Sequence, residues 1–167
     1  MALLTPSQAA ESLFSILPHN LAGGTLEEYG IEATPEQAQE ITREVLALNL
    51  YWVQSALQAV RTKPADKERV LGALHNRILQ GWTTDLRLDG QDAQVFFKQA
   101  EERRQTYDQI VQEGGGPVAV FTECAAILES ASAVKSEDRR KILALLIDLI
   151  PVDQIGELVG DWQLAGP

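Results

Sequence analysis

Apolar residues recur along this chain at three- and four-residue intervals almost from end to end, the spacing that lines one face of an α-helix. Two segments announce helix starts with the same layout. Thr5-Pro6-Ser7-Gln8 and Thr34-Pro35-Glu36-Gln37 each place a hydroxyl at the N-cap, proline at the first helical position and glutamine at the third. The first helix is predicted to reach about Leu17, where Pro18 stops it and HNLAGGT reads as a loop. The second spans residues 35 to 61 and ends ahead of Pro64, whose ring disfavours helical geometry in the residue before it. Its N-terminal half is polar on most sides. From Val45 to Val60 it is apolar on nearly all sides, as expected of a helix that runs through the middle of a bundle.

A third helix over residues 65 to 81 carries Val70, Leu71, Leu74, Ile78 and Leu79 on one side, and WTTDLRLDG turns the chain after it. A fourth, from about Gln91 to Glu113, shows the stripe Phe96, Phe97, Ala100, Tyr107 and Ile110 before Gly114-Gly115-Gly116-Pro117 terminates it. The fifth, Pro117 to about Val134, is apolar on most faces. Ser136 with Glu137 and Asp138 resembles an N-cap with an acidic first turn, opening a sixth helix through ILALLIDLIP, residues 142 to 151. A last helix, 153 to 164, presents Ile155, Leu158, Val159 and Trp162.

No alternating run is bounded by hairpin turns, so the fold class expected is all-α: a single-domain bundle of six or seven helices with a long central second helix. Within one domain over 1–167, residues 1–33 form an N-terminal helix and acidic loop, 34–134 the helical core and 135–167 an apolar C-terminal helical hairpin. The broad apolar arcs of the second, fifth and sixth helices predict that these three share an inner layer.

Composition adds limits. A length of 167 residues with 45% hydrophobic content suffices for a sizeable core, and a single cysteine excludes an internal disulfide framework. The N-terminus lacks a basic leader and no run reaches membrane-spanning length, so a soluble, cytoplasmic chain is expected. The net charge of -10 opposes attraction to nucleic acid and to anionic lipid. Residues 1 to 40 hold Glu11, Glu27, Glu28, Glu32, Glu36 and Glu40 but no lysine or arginine, whereas residues 61 to 77 hold Arg61, Lys63, Lys67, Arg69 and Arg77. Either these regions pack on each other, or the acidic face steers a basic protein partner.

Motif chemistry is sparse. Asp85 to Phe96 has Asp89 and Gly90 where a calcium loop needs them, but Arg87 and Phe96 stand at ligand positions, so Asp89 or Asp92 is better read as an N-cap. The glycine run lacks the lysine and hydroxyl of a phosphate loop, which leaves a linker or hinge. Cys124, followed by two alanines, reads as a packed thiol. His19 and His75 have no carboxylate at metal-ligand spacing, so neither a metal nor a cofactor is expected.

Polar residues at apolar positions are more informative. Asn49 is flanked at helical spacing by Val45, Leu46, Trp52 and Val53; Arg103 and Arg104 straddle the gap between Ala100 and Tyr107; Asp148 sits at the negative end of its helix dipole. Burial without partners is costly, so partners are implied. Internally, Arg103 or Arg104 would pair with Asp148 or Glu123 while Asn49 fixes helix register. Alternatively Trp52, Phe97 and Tyr107 line a pocket in which Asn49 and an arginine orient a ligand.

The function expected is a non-enzymatic helical interaction module, an adaptor or regulator, self-associating as a homodimer. Leu146, Leu149, Ile150, Ile155, Leu158 and Trp162 are the expected interface. The alternatives are a sensor for a small apolar or anionic ligand in the core, and an enzyme built on carboxylates such as Glu123 with Asp148.

Overall fold

The computed structural model describes residues 3–19, 21, 22, 24–90, 93–162 and 164. Among them the chain forms seven helices of nine residues or more and one single-turn helix: α1 (Pro6–Ile16), α2 (Thr25–Glu28), α3 (Pro35–Ala59), α4 (Pro64–Gln80), α5 (Ala93–Gln112), α6 (Pro117–Ser130), α7 (Arg139–Leu149) and α8 (Val152–Gly160). The fold is an all-α bundle. A lone bridge between Leu4 and Leu164 brings the two ends of the described chain together.

Both Thr-Pro-x-Gln segments make full capping boxes. Thr5 Oγ1 accepts from the Gln8 amide at 3.2 Å while Gln8 Oε1 accepts from the Thr5 amide at 2.9 Å, and Thr34 and Gln37 repeat the pattern at the same distances. α2 falls where a loop was expected: a left-handed Gly24 (φ 106°) turns the chain, and the buried side chain of Leu26 holds the single turn against the core. The expected start of α5 at Gln91, and Asp92 as its cap, lie outside the described residues. At the other end of α5, left-handed Gly114 and the bond from the Gly115 amide to the Ile110 carbonyl close the helix.

α6 stops at Ser130, short of the expected Val134. Ser132 adopts a left-handed φ of 61°, and Ala133 and Val134 fold back to bond the Leu128 carbonyl, so their apolar side chains are buried without being helical. Ser136 is no N-cap of the next helix. It opens a 3-10 turn, Ser136–Asp138, and Asp138 precedes α7, its buried carboxylate taking Lys141 Nζ at 2.9 Å.

Two apolar clusters share α3. Leu46, Leu50, Val53 and Leu57 face a cluster built with α1, α4 and α8, whereas Ile41, Val45, Leu48 and Tyr51 face one built with α6 and α7. α5 contributes Phe96 and Ala100 to the first and Tyr107 to the second along one buried stripe, and turns its other residues outward. The three helices expected to pack together, α3, α6 and α7, do share the second cluster, with α6 in contact with both of the others, and α3 packs on α5 and α8 as well. α7 and α8 do not form a hairpin, because Pro151 separates them and α8 docks on α3 and α1.

Most of the oily ILALLIDLIP stretch is thus covered by the chain itself. Ile142, Leu145, Leu146 and Ile150 are buried, Leu143 and Leu149 half-buried, and Ile147 keeps 48% of its surface exposed. Among the described residues no helix is long and apolar enough to cross a membrane. The acidic and basic segments do meet at one place: α1 packs on α4, where Arg77 bonds Glu11 at 2.6 Å and Asp85 at 3.1 Å and lies 4.0 Å above the Phe14 ring.

Candidate functional site: the polar seam of α3, α5 and α6

The polar N-terminal half of α3 lies along α5, and this placement decides where the arginines end. Arg103 grips Glu44, with Nε at 3.0 and 3.1 Å from the two carboxylate oxygens and Nη2 at 2.8 Å from one of them. Both side chains are mostly shielded, at 28% and 14% exposure. The bond to Glu44 raises the guanidinium pKa further, so the pair is a fixed charge pair. Arg104 turns the other way and bonds Glu101 and Asp108 on its own helix. The expected partners, Asp148 and Glu123, are not the ones used. Asp148 is exposed on α7, where it accepts from the Tyr29 hydroxyl at 2.8 Å, and that bond raises the Tyr29 pKa.

Behind the ion pair lies a buried pair of weak acids. Tyr107 is fully buried, its ring edge-on to Tyr51 at 5.4 Å, and its hydroxyl has no hydrogen-bond partner. The Cys124 thiol lies close enough to act on it electrostatically. Burial first, and then Cys124, pushes the phenol pKa far up. Burial likewise pushes the Cys124 thiol up to about 12, helped by the Glu44 charge. Tyr51 is pushed up to about 12 by burial and then by Asp108. None of these groups is a ready nucleophile or base near neutral pH, because the low-dielectric surroundings favour their neutral forms.

Asn49 is fully buried, as its position implies, but its Nδ2 donates to the Val45 carbonyl of its own helix at 2.9 Å. It therefore does not tie α3 to a neighbour, and its Oδ1 has no partner. Trp52 bridges the two clusters, packing on Tyr51 and Phe121, with its Nε1 unpartnered. Phe97 is elsewhere, against Phe96 and the ring of His75 at 4.4 Å, and burial of that imidazole lowers its pKa. The hollow beside Arg103 is only about 100 Å³; Glu40, Arg43, Glu44 and Gln99 line it, while Asn49, Trp52, Phe97 and Tyr107 do not. The expected ligand pocket is therefore not assembled there, because its residues are dispersed over three places and both arginines end on carboxylates.

Of the expected interface, Leu146, Ile150 and Ile155 are enclosed within one copy, while Leu149, Leu158 and Trp162 are partly exposed. Sequence reasoning did not single out Glu44, Tyr29 or Ile147. Glu44 carried a usable signal, standing one turn before Leu48 and two before Tyr51 on a buried arc.

The larger hollows open on the surface. One of about 580 Å³ lies between α2 and the start of α3, over Leu26, Ile31 and Pro35 with Glu27 and Glu32 at its edge. Another, of about 450 Å³, is bounded by Ile16, Pro117, Phe121, Ile147, Leu149 and Pro151. Among the described residues no three metal-ligating side chains stand together, and Asp85 of the calcium-like segment is engaged by Arg77. No family model, curated protein or solved structure matches the chain.

Proposed function

We propose that the chain is a non-enzymatic helical interaction module that self-associates through the outer face of α7. One observation carries this reading. Arg140, Ala144, Ile147 and Asp148 lie on one exposed line of α7, with the cation in the first turn and the anion in the last. Each charge sits at the unfavourable end of its own helix dipole, and each would sit at the favourable end of an antiparallel copy.

A two-fold contact places Arg140 of one copy against Asp148 of the other, twice, and brings Ala144 to the crossing, where a small side chain lets helices approach. Ile147, which is 48% exposed in one copy, is covered. Leu149, from the interface read in the sequence, stands at the edge of this patch, whereas Leu158 lies on α8 and Trp162 just past its end. The filled seam around Arg103 and Glu44 supports the same reading, since the charged groups that a ligand or a reaction would need are bound to each other.

Sedimentation velocity over a concentration series is the test. A mass rising towards twice 18.3 kDa supports the reading. A single species of one-chain mass at every concentration, with Ile147→Glu indistinguishable from the parent, overturns it.

A further inference from the structure

The groove between α2 and the start of α3 lies apart from that line of α7 and has a different character. Its floor is Leu26, Ile31, Pro35 and Ala38, and Glu27 and Glu32 stand at its edge. Glu28 and Glu36 are exposed nearby, and residues 1 to 40 carry no lysine or arginine at all. Two cations approach from elsewhere in the chain. Lys141 is held by the Gly30 carbonyl at 3.1 Å and by Asp138, whereas Lys135 only grazes Glu32 at 3.5 Å, with both side chains more than half exposed.

We infer that this groove docks a lysine- or arginine-bearing peptide segment of another protein. The aliphatic stems of such side chains lie along exposed Ala22 and Pro35, above buried Leu26 and Ile31, while their charged ends meet Glu27 and Glu32. The groove is open to the surface, with a volume of about 580 Å³. Charge selects the occupant. With Glu27 and Glu32 at its edge and no lysine or arginine in residues 1 to 40, the groove draws in and orients a cationic segment. Lys135 is then an internal competitor that occupies the position of the incoming ammonium at Glu32. The inference rests on the reading of the chain as an interaction module but not on the α7 contact, so either can fail without the other.

The test is fluorescence anisotropy of the full chain with a short labelled peptide alternating lysine with leucine. Glu27→Lys with Glu32→Lys should weaken binding about tenfold. Glu113→Lys with Glu157→Lys, the same charge change at exposed residues of α8 and the α5 end, should weaken it less than about threefold. Lys135→Gln should tighten it about twofold. Ala22→Trp, a change of shape and not of charge at an exposed lining residue, should weaken it as well.

Equal losses from the two charge-matched pairs would reduce the effect to bulk attraction and overturn the inference. So would an unchanged affinity in both Lys135→Gln and Ala22→Trp. A fall in sedimenting mass caused by the Glu27 and Glu32 changes alone would give the groove to a second copy instead.

Discussion

Arg103 on α5 holds both carboxylate oxygens of Glu44 on α3, and this contact joins the two helices across the polar half of α3. The pair is shielded enough that losing one partner strands the other in a poorly solvated place.

Arg103→Met or Glu44→Leu alone should therefore lower unfolding stability by about 2 kcal/mol. The double substitution should recover most of that loss, because neither charge is left behind. A double-mutant cycle in urea reads the coupling. Additive losses would mean that the two residues act independently.

Tyr107 and Asn49 each bury a polar atom without a partner. Tyr107→Phe removes the orphaned hydroxyl and keeps the ring on Tyr51, so it should raise stability by about 1 kcal/mol. Asn49→Leu should act in the same direction, more weakly, because the bond to the Val45 carbonyl is lost with it. Destabilisation by Tyr107→Phe would show that the hydroxyl is satisfied in the folded protein.

How far these contacts can be read from the sequence depends on their range. Helix starts are readable because Thr5 with Gln8 and Thr34 with Gln37 satisfy each other locally. α2 escapes the periodic signal because a single turn is shorter than any window in which a period shows. The end of α6 is misplaced because Ala133 and Val134 stay apolar after the helix has ended, buried by a turn at Ser132. Burial of Asn49 follows from its neighbours on one helix, but the partner of Arg103 depends on which face of α3 meets α5, a tertiary fact. The same holds for Leu146 and Ile147. They are adjacent in sequence and about 100° apart around the helix, and the position of α6 decides which is covered.

His75 gives the pH dependence a definite sign. Burial holds its folded pKa below the ordinary 6.5, so the unfolded chain takes up the proton first as the pH falls. Its contribution to stability is whole above about pH 6.5 and declines as the pH drops below that value. Melting temperatures between pH 7.5 and 5.5 should fall in the parent and fall less in His75→Gln. Identical slopes would remove the imidazole from the effect.

Cys124 reports on opening of the second cluster. Fully buried, with its thiol pushed up to about 12, it should resist a soluble thiol reagent in the native protein and react at once in denaturant. Rapid native-state labelling would show that α5 and α6 separate readily.

The most direct test of self-association exchanges the charges on α7. Arg140→Asp and Asp148→Arg should each abolish the dimer, because each sets like charges against each other across the two-fold axis. An equimolar mixture of the two variants should restore it, since both cross-pairs are then complementary. Recovery of the two-chain mass in sedimentation velocity only on mixing is the expected result. Two variants that sediment as the parent does, alone and mixed, would contradict an antiparallel α7 contact.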